Sequence, residues 1–221
     1  MKRKKLSILR FIAQIAYLAI FITGVLSRNY VMLFITVTAI LLGPIFCGWM
    51  CFVGLFQDSC RYLGRFIKKE PIEVGEKAHS VLKYSRYLIL IGSVTIGGLF
   101  LFPGKVWGNF AGLIKGHAVI NAAFYFLIIL GVVSLFTRRF FCRYLCTFGA
   151  KLGLFSLLRP ITINRKKSCI SCNLCSKECP MKIKVDKINS LANPNCINCL
   201  NCVESCPNSS LKVGLRNYLK P

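Results

Sequence analysis

The sequence predicts an all-α membrane domain of four transmembrane helices followed by a small α+β domain. Three observations point to this architecture: long apolar stretches without a charged residue, a bias of Lys and Arg toward one side, and two similar cysteine runs near the C-terminus. The composition agrees, because 55% of the residues are hydrophobic and the mean hydropathy is +0.58. We expect the membrane domain over residues 1–160 and the smaller domain over 161–221.

Four apolar stretches each approach or exceed the ~20 residues that a helix needs to cross ~30 Å of hydrocarbon. They lack charged residues over Phe11–Ser27, Asn29–Gln57, Tyr87–Gly104 and Ala118–Thr137. The predicted helices cover about residues 6–27, 30–56, 87–104 and 118–137. The Gly43-Pro44 step should kink or break the second helix, because proline lacks the N–H that a helix interior uses.

Lys and Arg in short loops set the orientation of membrane helices, because they resist translocation. Twelve of them lie in the N-terminal tail and between residues 58 and 86, whereas Arg28, Lys105 and Lys115 lie on the opposite side. This predicts a multi-pass protein of the inner, cytoplasmic membrane with both termini and the small domain in the cytoplasm. It also accounts for much of the formal charge of +23 without nucleic acid as a partner.

The C-terminal part contains two cysteine runs with the same spacing. They read CISCNLCSKECP from Cys169 and CINCLNCVESCP from Cys196. This is the CxxCxxCxxxCP pattern of two-cluster ferredoxins, in which the last cysteine of each run ligates the other cluster. We therefore predict a ferredoxin-like domain with two 4Fe-4S clusters. The predicted ligands are Cys169, Cys172, Cys175 and Cys206 for the first cluster, and Cys196, Cys199, Cys202 and Cys179 for the second.

Zinc sites and disulfides are the alternatives for these cysteines. Structural zinc sites usually come as two separated CxxC pairs, and cytoplasmic thiols stay reduced, so both alternatives are disfavoured. The predicted small domain is basic. An acidic redox partner, such as a soluble ferredoxin or flavodoxin, would be steered to that surface, although a basic domain resting on anionic lipid would have the same composition.

Two further cysteine pairs belong to an internal repeat. The segments FCGWMCFVG at 46–54 and FCRYLCTFG at 141–149 share the pattern F-C-x-x-x-C-x-x-G. They indicate two parallel two-helix repeats, each ending in a CxxxC pair on the cytoplasmic side. Because residues i and i+4 share a helix face, the two pairs are candidate ligands of a third iron or iron-sulfur centre. Those four cysteines are Cys47, Cys51, Cys142 and Cys146. Packing of small apolar side chains is the alternative, and we assign it to Cys60.

This combination of motifs resembles the membrane-bound polyferredoxin family that accompanies periplasmic nitrate reductase, methylamine dehydrogenase and nitrous oxide reductase systems. The resemblance rests on CGWMC, CRYLC and the two ferredoxin runs, and it covers nearly the whole chain. The family's membrane motif is CxxxCP, and Phe52 and Thr147 stand here in place of the proline. The resemblance implies electron transfer between a membrane donor and a partner enzyme, or a role in the maturation of a metalloenzyme.

We expect an electron-transfer subunit of an oxidoreductase rather than a stand-alone catalyst. Two clusters would pass single electrons between a cytoplasmic redox partner and a membrane redox complex or quinone. Since every cysteine lies at or beyond the predicted inner edge, a quinone or a partner subunit must complete any transfer across the bilayer. The alternative is an accessory protein that reduces or delivers metal for another metalloenzyme. A transporter is disfavoured, because no acidic residue lies within a predicted span.

Overall fold

A computed structural model describes residues 5–23, 28–67, 70–95, 112 and 122–216. This part of the chain is mostly helical and contains a two-stranded sheet. Helices α1 to α5 span Lys5–Thr23, Arg28–Leu42, Ile45–Trp49, Phe52–Gly64 and Glu76–Leu82. Helices α6 to α9 span Ser85–Thr95, Ala122–Phe136, Phe140–Tyr144 and Thr147–Phe155, and the short helices α10 and α11 span Leu174–Lys177 and Asn201–Glu204. The strands are β1, Ile161–Arg165, and β2, Leu211–Leu215.

The segment 30–56, predicted as one helix with a kink or break at Gly43-Pro44, is divided into three helices. The segment folds as α2, α3 and the beginning of α4, with breaks at Gly43-Pro44 and at Met50-Cys51. Gly43 has a φ of 88°, which an L side chain rarely adopts, and Pro44 then stands as the N-cap of α3. The first break therefore follows from a signal in the sequence. The second break has no such signal, because neither Met50 nor Cys51 interrupts helices as a rule.

The other three predicted helices overlap α1, α6 and α7. Their predicted residues 24–27, 96–104 and 118–121 lie outside the described residues. Within the described ranges, no single helix combines the length and the apolar composition that crossing a bilayer requires. The segments Leu33–Leu42 and Ile45–Gly64 meet both criteria together, with a bend of 102° between them.

The chain forms two compact units that do not follow chain order. The first comprises Met1–Cys51 with Leu152–Pro221, and the second comprises Phe52–Lys151. In the first unit β1 and β2 pair antiparallel, with Ile163 opposite Val213. Short helices and a small sheet agree with the α+β character that we predict for the cysteine-rich part. The predicted domain boundary between residues 160 and 161 divides the chain by sequence position, and it stays a prediction.

In the second unit α4 packs closely on α7. A Cβ on Gly64 would lie 1.9 Å from the carbonyl oxygen of Leu135, so a glycine is required at this crossing. The guanidinium of Arg61 donates to the same carbonyl at 2.8 Å. One turn earlier, Asp58 forms a two-bond ion pair with Arg139, with nitrogen-oxygen distances of 3.0 and 2.6 Å. The Arg139 side chain is 1% exposed and that of Asp58 26%, so this pair is largely withdrawn from water.

We predict that Asp58→Ala lowers the free energy of unfolding of the second unit by about 3 kcal/mol, because it leaves the buried Arg139 guanidinium without its carboxylate. Urea denaturation of the detergent-solubilised chain, followed by circular dichroism, measures the loss. The matched control is Glu70→Ala, which removes an exposed carboxylate and should change stability by less than about 0.5 kcal/mol. The double variant Asp58→Ala/Arg139→Met should recover part of the lost stability. An equal loss in Asp58→Ala and in the control Glu70→Ala would contradict the prediction.

Candidate functional site

The first unit contains a cavity lined by the four cysteines that the spacing assigns to the first cluster. These are Cys169, Cys172, Cys175 and Cys206. Cys169 and Cys172 come from the loop that leads into α10, Cys175 lies in α10, and Cys206 follows α11. Asp186 also lines the cavity, and its carboxylate accepts a hydrogen bond from the Ser176 hydroxyl. The structure therefore brings together thiols that lie up to 37 positions apart.

A second cavity in the same unit is lined by the four cysteines assigned to the second cluster. These are Cys179, Cys196, Cys199 and Cys202. Apolar side chains complete its wall, among them Met181, Ile183 and Leu191, which are 3%, 6% and 3% exposed. In both cavities the fourth cysteine comes from the other run. The crossed arrangement of two-cluster ferredoxins is thus compatible with the fold, and the individual ligands stay a prediction.

The two cysteine loops have the same backbone conformation, 27 residues apart. Ser171 and Asn198 both have a φ of 52°, and Asn173 and Leu200 both have a φ of 60°. These left-handed residues lie just before and just after the middle cysteine of each run, and they turn the chain so tightly that three cysteines line one cavity. A leucine in this conformation has no local preference for it, so the surrounding structure must impose it.

The fourth cysteines are also held in equivalent ways. A left-handed residue follows three positions after each of them, with a φ of 56° at Lys182 and 46° at Ser209. The next backbone N–H then donates to the sulfur, from Ile183 to Cys179 at 3.5 Å and from Ser210 to Cys206 at 3.3 Å. N–H···S bonds of this kind stabilise a ligating thiolate and tune the potential of the centre that it holds.

The electrostatics of the second cavity favour a bound cation. Burial, with the nearby thiols of Cys199 and Cys196, raises the pKa of Cys179 to about 12. Burial and the same neighbours also raise the pKa of Cys202. Four crowded thiols ionise together only when positive charge enters the cavity, which iron provides. The donor set of four convergent cysteines therefore fits a 4Fe-4S cluster. In the described ranges, no three His, Cys, Asp or Glu side chains are placed to hold a single metal ion.

The first CxxxC pair lies on a turn that packs on the second cysteine loop. Cys47 is in α3 and Cys51 follows its end, so the pair lies at a helix terminus and not along one helix face as predicted. A Cβ on Gly48 would lie 2.6 Å from the carbonyl oxygen of Ile197. The Trp49 indole N–H donates to the carbonyl of Asn198 at 3.1 Å, and the Asn198 amide donates to Leu42 at 2.8 Å. This turn therefore lies directly against the loop that carries Cys196 and Cys199.

The second CxxxC pair, in the second unit, has the same local geometry. In each turn a phenylalanine carbonyl accepts both terminal N–H groups at 2.9 Å, Phe46 from Met50 and Cys51, and Phe141 from Leu145 and Cys146. All four CxxxC cysteines are 7–8% exposed. The helices α4 and α9 begin at Phe52 and Thr147, the positions of the proline in the related CxxxCP motif. Since the first position of a helix is where proline fits without loss of a hydrogen bond, its replacement leaves this turn intact.

Polar groups from α4 and the following segments surround the second pair. Gln57, which is 0% exposed, donates to the sulfur of Cys142 at 3.4 Å and accepts from the N–H of Phe141 at 3.1 Å. Arg86 donates to the carbonyl of Cys142 at 3.4 Å, and the N–H of Gly149 donates to the sulfur of Cys146 at 3.3 Å. Sequence reasoning missed Gln57, although a lone glutamine at the end of a charge-free stretch is itself a signal of a buried polar contact. Cys60 is half-buried in α4.

Two family models match the chain. One, described as a 4Fe-4S binding domain, matches residues 30–70 and again residues 121–166, so it covers each CxxxC pair once. The other, described as a 4Fe-4S dicluster domain, matches residues 161–207 and covers both cysteine runs. Two 4Fe-4S clusters are therefore cofactors of this chain.

Several characterised and uncharacterised proteins are similar over most of the chain. A candidate electron transport protein, YccM of Escherichia coli (strain K12), is 31% identical over 79% of the chain and 52% of its own length. The uncharacterized protein MJ0750 of Methanocaldococcus jannaschii is 31% identical over 80% of the chain and 74% of its own length. The ferredoxin-type protein NapH of Haemophilus influenzae is 28% identical over 80% of the chain and 64% of its own length. The chain thus spans about half the length of YccM. No solved structure matches.

The crossed ligand sets predict how cysteine substitutions combine. Cys172→Ser/Cys206→Ser removes two ligands of one cluster, so about four iron atoms per chain should remain at the two-cluster domain. Cys172→Ser/Cys179→Ser removes one ligand from each cluster, so iron at this domain should fall close to zero. Iron and acid-labile sulfide are measured on both anaerobically purified double variants. Cys60→Ser is the control and should keep the wild-type iron content. The reverse pattern would mean that each run holds its own fourth ligand.

Proposed function

Because the chain belongs to the polyferredoxin-type family of 4Fe-4S binding proteins, we propose that it passes single electrons between a cytoplasmic redox partner and a membrane redox complex or quinone. The observation that carries this proposal is the pair of cavities in one compact unit, each lined by four cysteines from both runs. When bound, a 4Fe-4S cluster supplies one-electron redox chemistry. The residues of the chain would hold the clusters and donate N–H hydrogen bonds to the thiolates. The apolar wall of the second cavity would also exclude water from the second cluster.

We assign the ligands as the two cavities group them. The first cluster is held by Cys169, Cys172, Cys175 and Cys206, and the second by Cys196, Cys199, Cys202 and Cys179. The two sites lie in one small fold, and Val185 lines both cavities. A single buried side chain that borders both sites supports a short transfer step between them.

Anchoring in the inner membrane is part of the proposal. It is supported by helices whose exposed face is apolar. On α7 the side chains of Tyr125, Ile128, Ile129 and Val132 are more than half exposed, whereas Leu127 and Leu130 are buried. Large exposed apolar faces mark contact with lipid or with another protein. Together with the Lys and Arg distribution, they support a multi-pass protein with both termini in the cytoplasm.

Cys47, Cys51, Cys142 and Cys146 are proposed to hold a third iron or iron-sulfur centre. Support comes from their equal burial, their equivalent turns and the 4Fe-4S binding model that matches both segments. We predict that the wild-type chain contains more iron than the about eight atoms that two clusters require. Replacing the four cysteines by Ser should return iron and sulfide to about eight each. If the wild type already has eight, or if the variant keeps the excess, these cysteines hold no iron.

Electron transfer and orientation can be tested together in membrane vesicles that contain the chain. In inverted vesicles, reduced flavodoxin added outside should be oxidised while the clusters are reduced, since the cysteine-rich part faces outward there. In right-side-out vesicles the same flavodoxin should stay reduced. Absorbance changes of the flavin and of the clusters measure the transfer, and the Cys172→Ser/Cys179→Ser variant is the control.

The same vesicles separate this function from the alternative. An accessory protein that reduces or delivers metal for another metalloenzyme would transfer iron in a manner that depends on its thiols, with little sustained electron flow. Steady oxidation of flavodoxin in the presence of a quinone acceptor supports an electron-transfer subunit of an oxidoreductase. Reduction that stops after one electron per cluster, together with loss of iron to an added apoprotein, supports the accessory role and overturns the first.

A further inference from the structure

The two cysteine loops have the same shape but different surroundings. The matching φ values at Ser171 and Asn198, and at Asn173 and Leu200, give both loops the same backbone path. The residue after the first cysteine is isoleucine in both runs. Ile197 is 5% exposed, whereas Ile170 is 65% exposed. Because the two loops have the same backbone shape, this difference in exposure indicates that the second loop is covered by a segment of its own unit. The first loop presents the equivalent surface to the outside.

The chain's own 46–51 turn covers the second loop. Gly48 lies against Ile197 and Cys199, where a Cβ would approach their backbone atoms to 2.6 and 3.2 Å. The Trp49 indole N–H donates to the carbonyl of Asn198. The turn thus contacts the second loop through a glycine without a side chain and through an N–H donor.

The first loop is open at the equivalent positions. Ser171 and Cys172 are exposed, as is Ile170. A large exposed apolar side chain next to a redox site is unusual on a surface that has no partner. Electrons pass only over short distances, so the site whose wall reaches the surface is the one that an outside carrier can use.

A second copy of the chain does not provide the cover. Its 46–51 turn is occupied by its own second loop, and the repeated turn at 141–146 has Arg143 in place of Gly48. A side chain of this size cannot approach where even a Cβ would lie 2.6 Å from a carbonyl oxygen. Neither CxxxC turn of a second copy therefore fits the first loop, which favours another protein as the occupant.

Lysines next to the first loop determine the charge of that protein. Lys166, Lys167 and Lys212 are exposed, and the N–H of Lys166 donates to the carbonyl of Ser210, two residues before Lys212. A hydrogen bond with the Lys212 side chain, together with repulsion from its charge, lowers the pKa of Lys166, so these two side chains lie close together. An apolar centre with a cationic rim is the arrangement that binds an acidic protein transiently.

We propose that the 169–173 loop, with Lys166, Lys167 and Lys212, is the docking surface for a soluble acidic one-electron carrier. This carrier takes the place on the first loop that the 46–51 turn takes on the second. Each encounter oxidises the carrier by one electron and reduces the first cluster by one electron, so no further reactant is needed. The second cluster is covered by the turn that holds Cys47 and Cys51. The inference rests on the proposed function and names its partner surface.

Charge reversal at this surface tests the proposal on the full chain in mild detergent. The variant Lys166→Glu/Lys212→Glu should slow the oxidation of reduced acidic flavodoxin at least tenfold at low ionic strength, and the difference should vanish at about 0.5 M salt. Ile170→Asp should also slow it tenfold, because it adds a negative charge and removes the apolar centre. The matched control is Lys77→Glu/Lys151→Glu, which makes the same change in charge at two exposed lysines outside the cysteine-rich part. Its rate should stay within twofold of the wild type.

Several outcomes would overturn the proposal. Equal slowing in the test and control pairs would mean that only net charge attracts the flavodoxin. Unchanged rates in the Lys166→Glu/Lys212→Glu and Ile170→Asp variants would mean that it docks elsewhere. If sedimentation shows a dimer that Ile170→Asp dissociates while the rate is unchanged, the surface joins two copies instead. Dithionite should reduce all variants equally. Failure of dithionite to reduce the wild type would refute the proposed function itself. The docking surface alone is refuted when dithionite reduces every variant but the flavodoxin rates do not change as predicted.

Discussion

The close approach of Gly48 to the second cysteine loop is the contact on which the first unit depends. The loop has little apolar surface of its own, because every third residue is a cysteine that lines the cavity. It is therefore buried by another segment, and only a residue without a Cβ lets that segment come close enough. Two hydrogen bonds through Asn198 then fix the contact. In this way residues near the two ends of the chain form one compact unit, and a CxxxC turn becomes the neighbour of a cluster site.

Internal duplication occurs at two levels, and the copies differ where their surroundings differ. The two CxxxC turns share their terminal hydrogen bonds, but Gly48 packs on a cysteine loop whereas Arg143 is buried within the second unit. The two cysteine loops share their backbone path, but Ile197 is buried and Ile170 is exposed. The repeated geometry reflects what four thiols require of the backbone. The copies therefore differ in which segment of the chain packs against them.

The sequence predicts the local parts of this arrangement better than the long-range ones. Cysteine spacing predicts the two sets that share cavities, because two-residue spacers limit how far apart the sulfurs can lie. Gly43-Pro44 likewise predicts the first break in the second apolar stretch. The break after Trp49 and the left-handed Leu200 have no local signal, because tertiary contacts impose them. The burial of Ile197 but not of Ile170 is equally invisible in the sequence, since both stand in the same motif.

Broken helices also explain part of the basic charge. The end of α7 leaves carbonyl groups without an N–H partner, and Arg61 donates to one of them, that of Leu135. Arg159 lies against Gly43 and donates to the carbonyl of Leu191. Both guanidinium groups are buried, so these charges contribute to the fold. Arg86 and Arg139 bring the same positive charge to the neighbourhood of Cys142. Thiolates that hold iron carry net negative charge, so helix ends that recruit arginine also provide the electrostatic environment that such a centre requires.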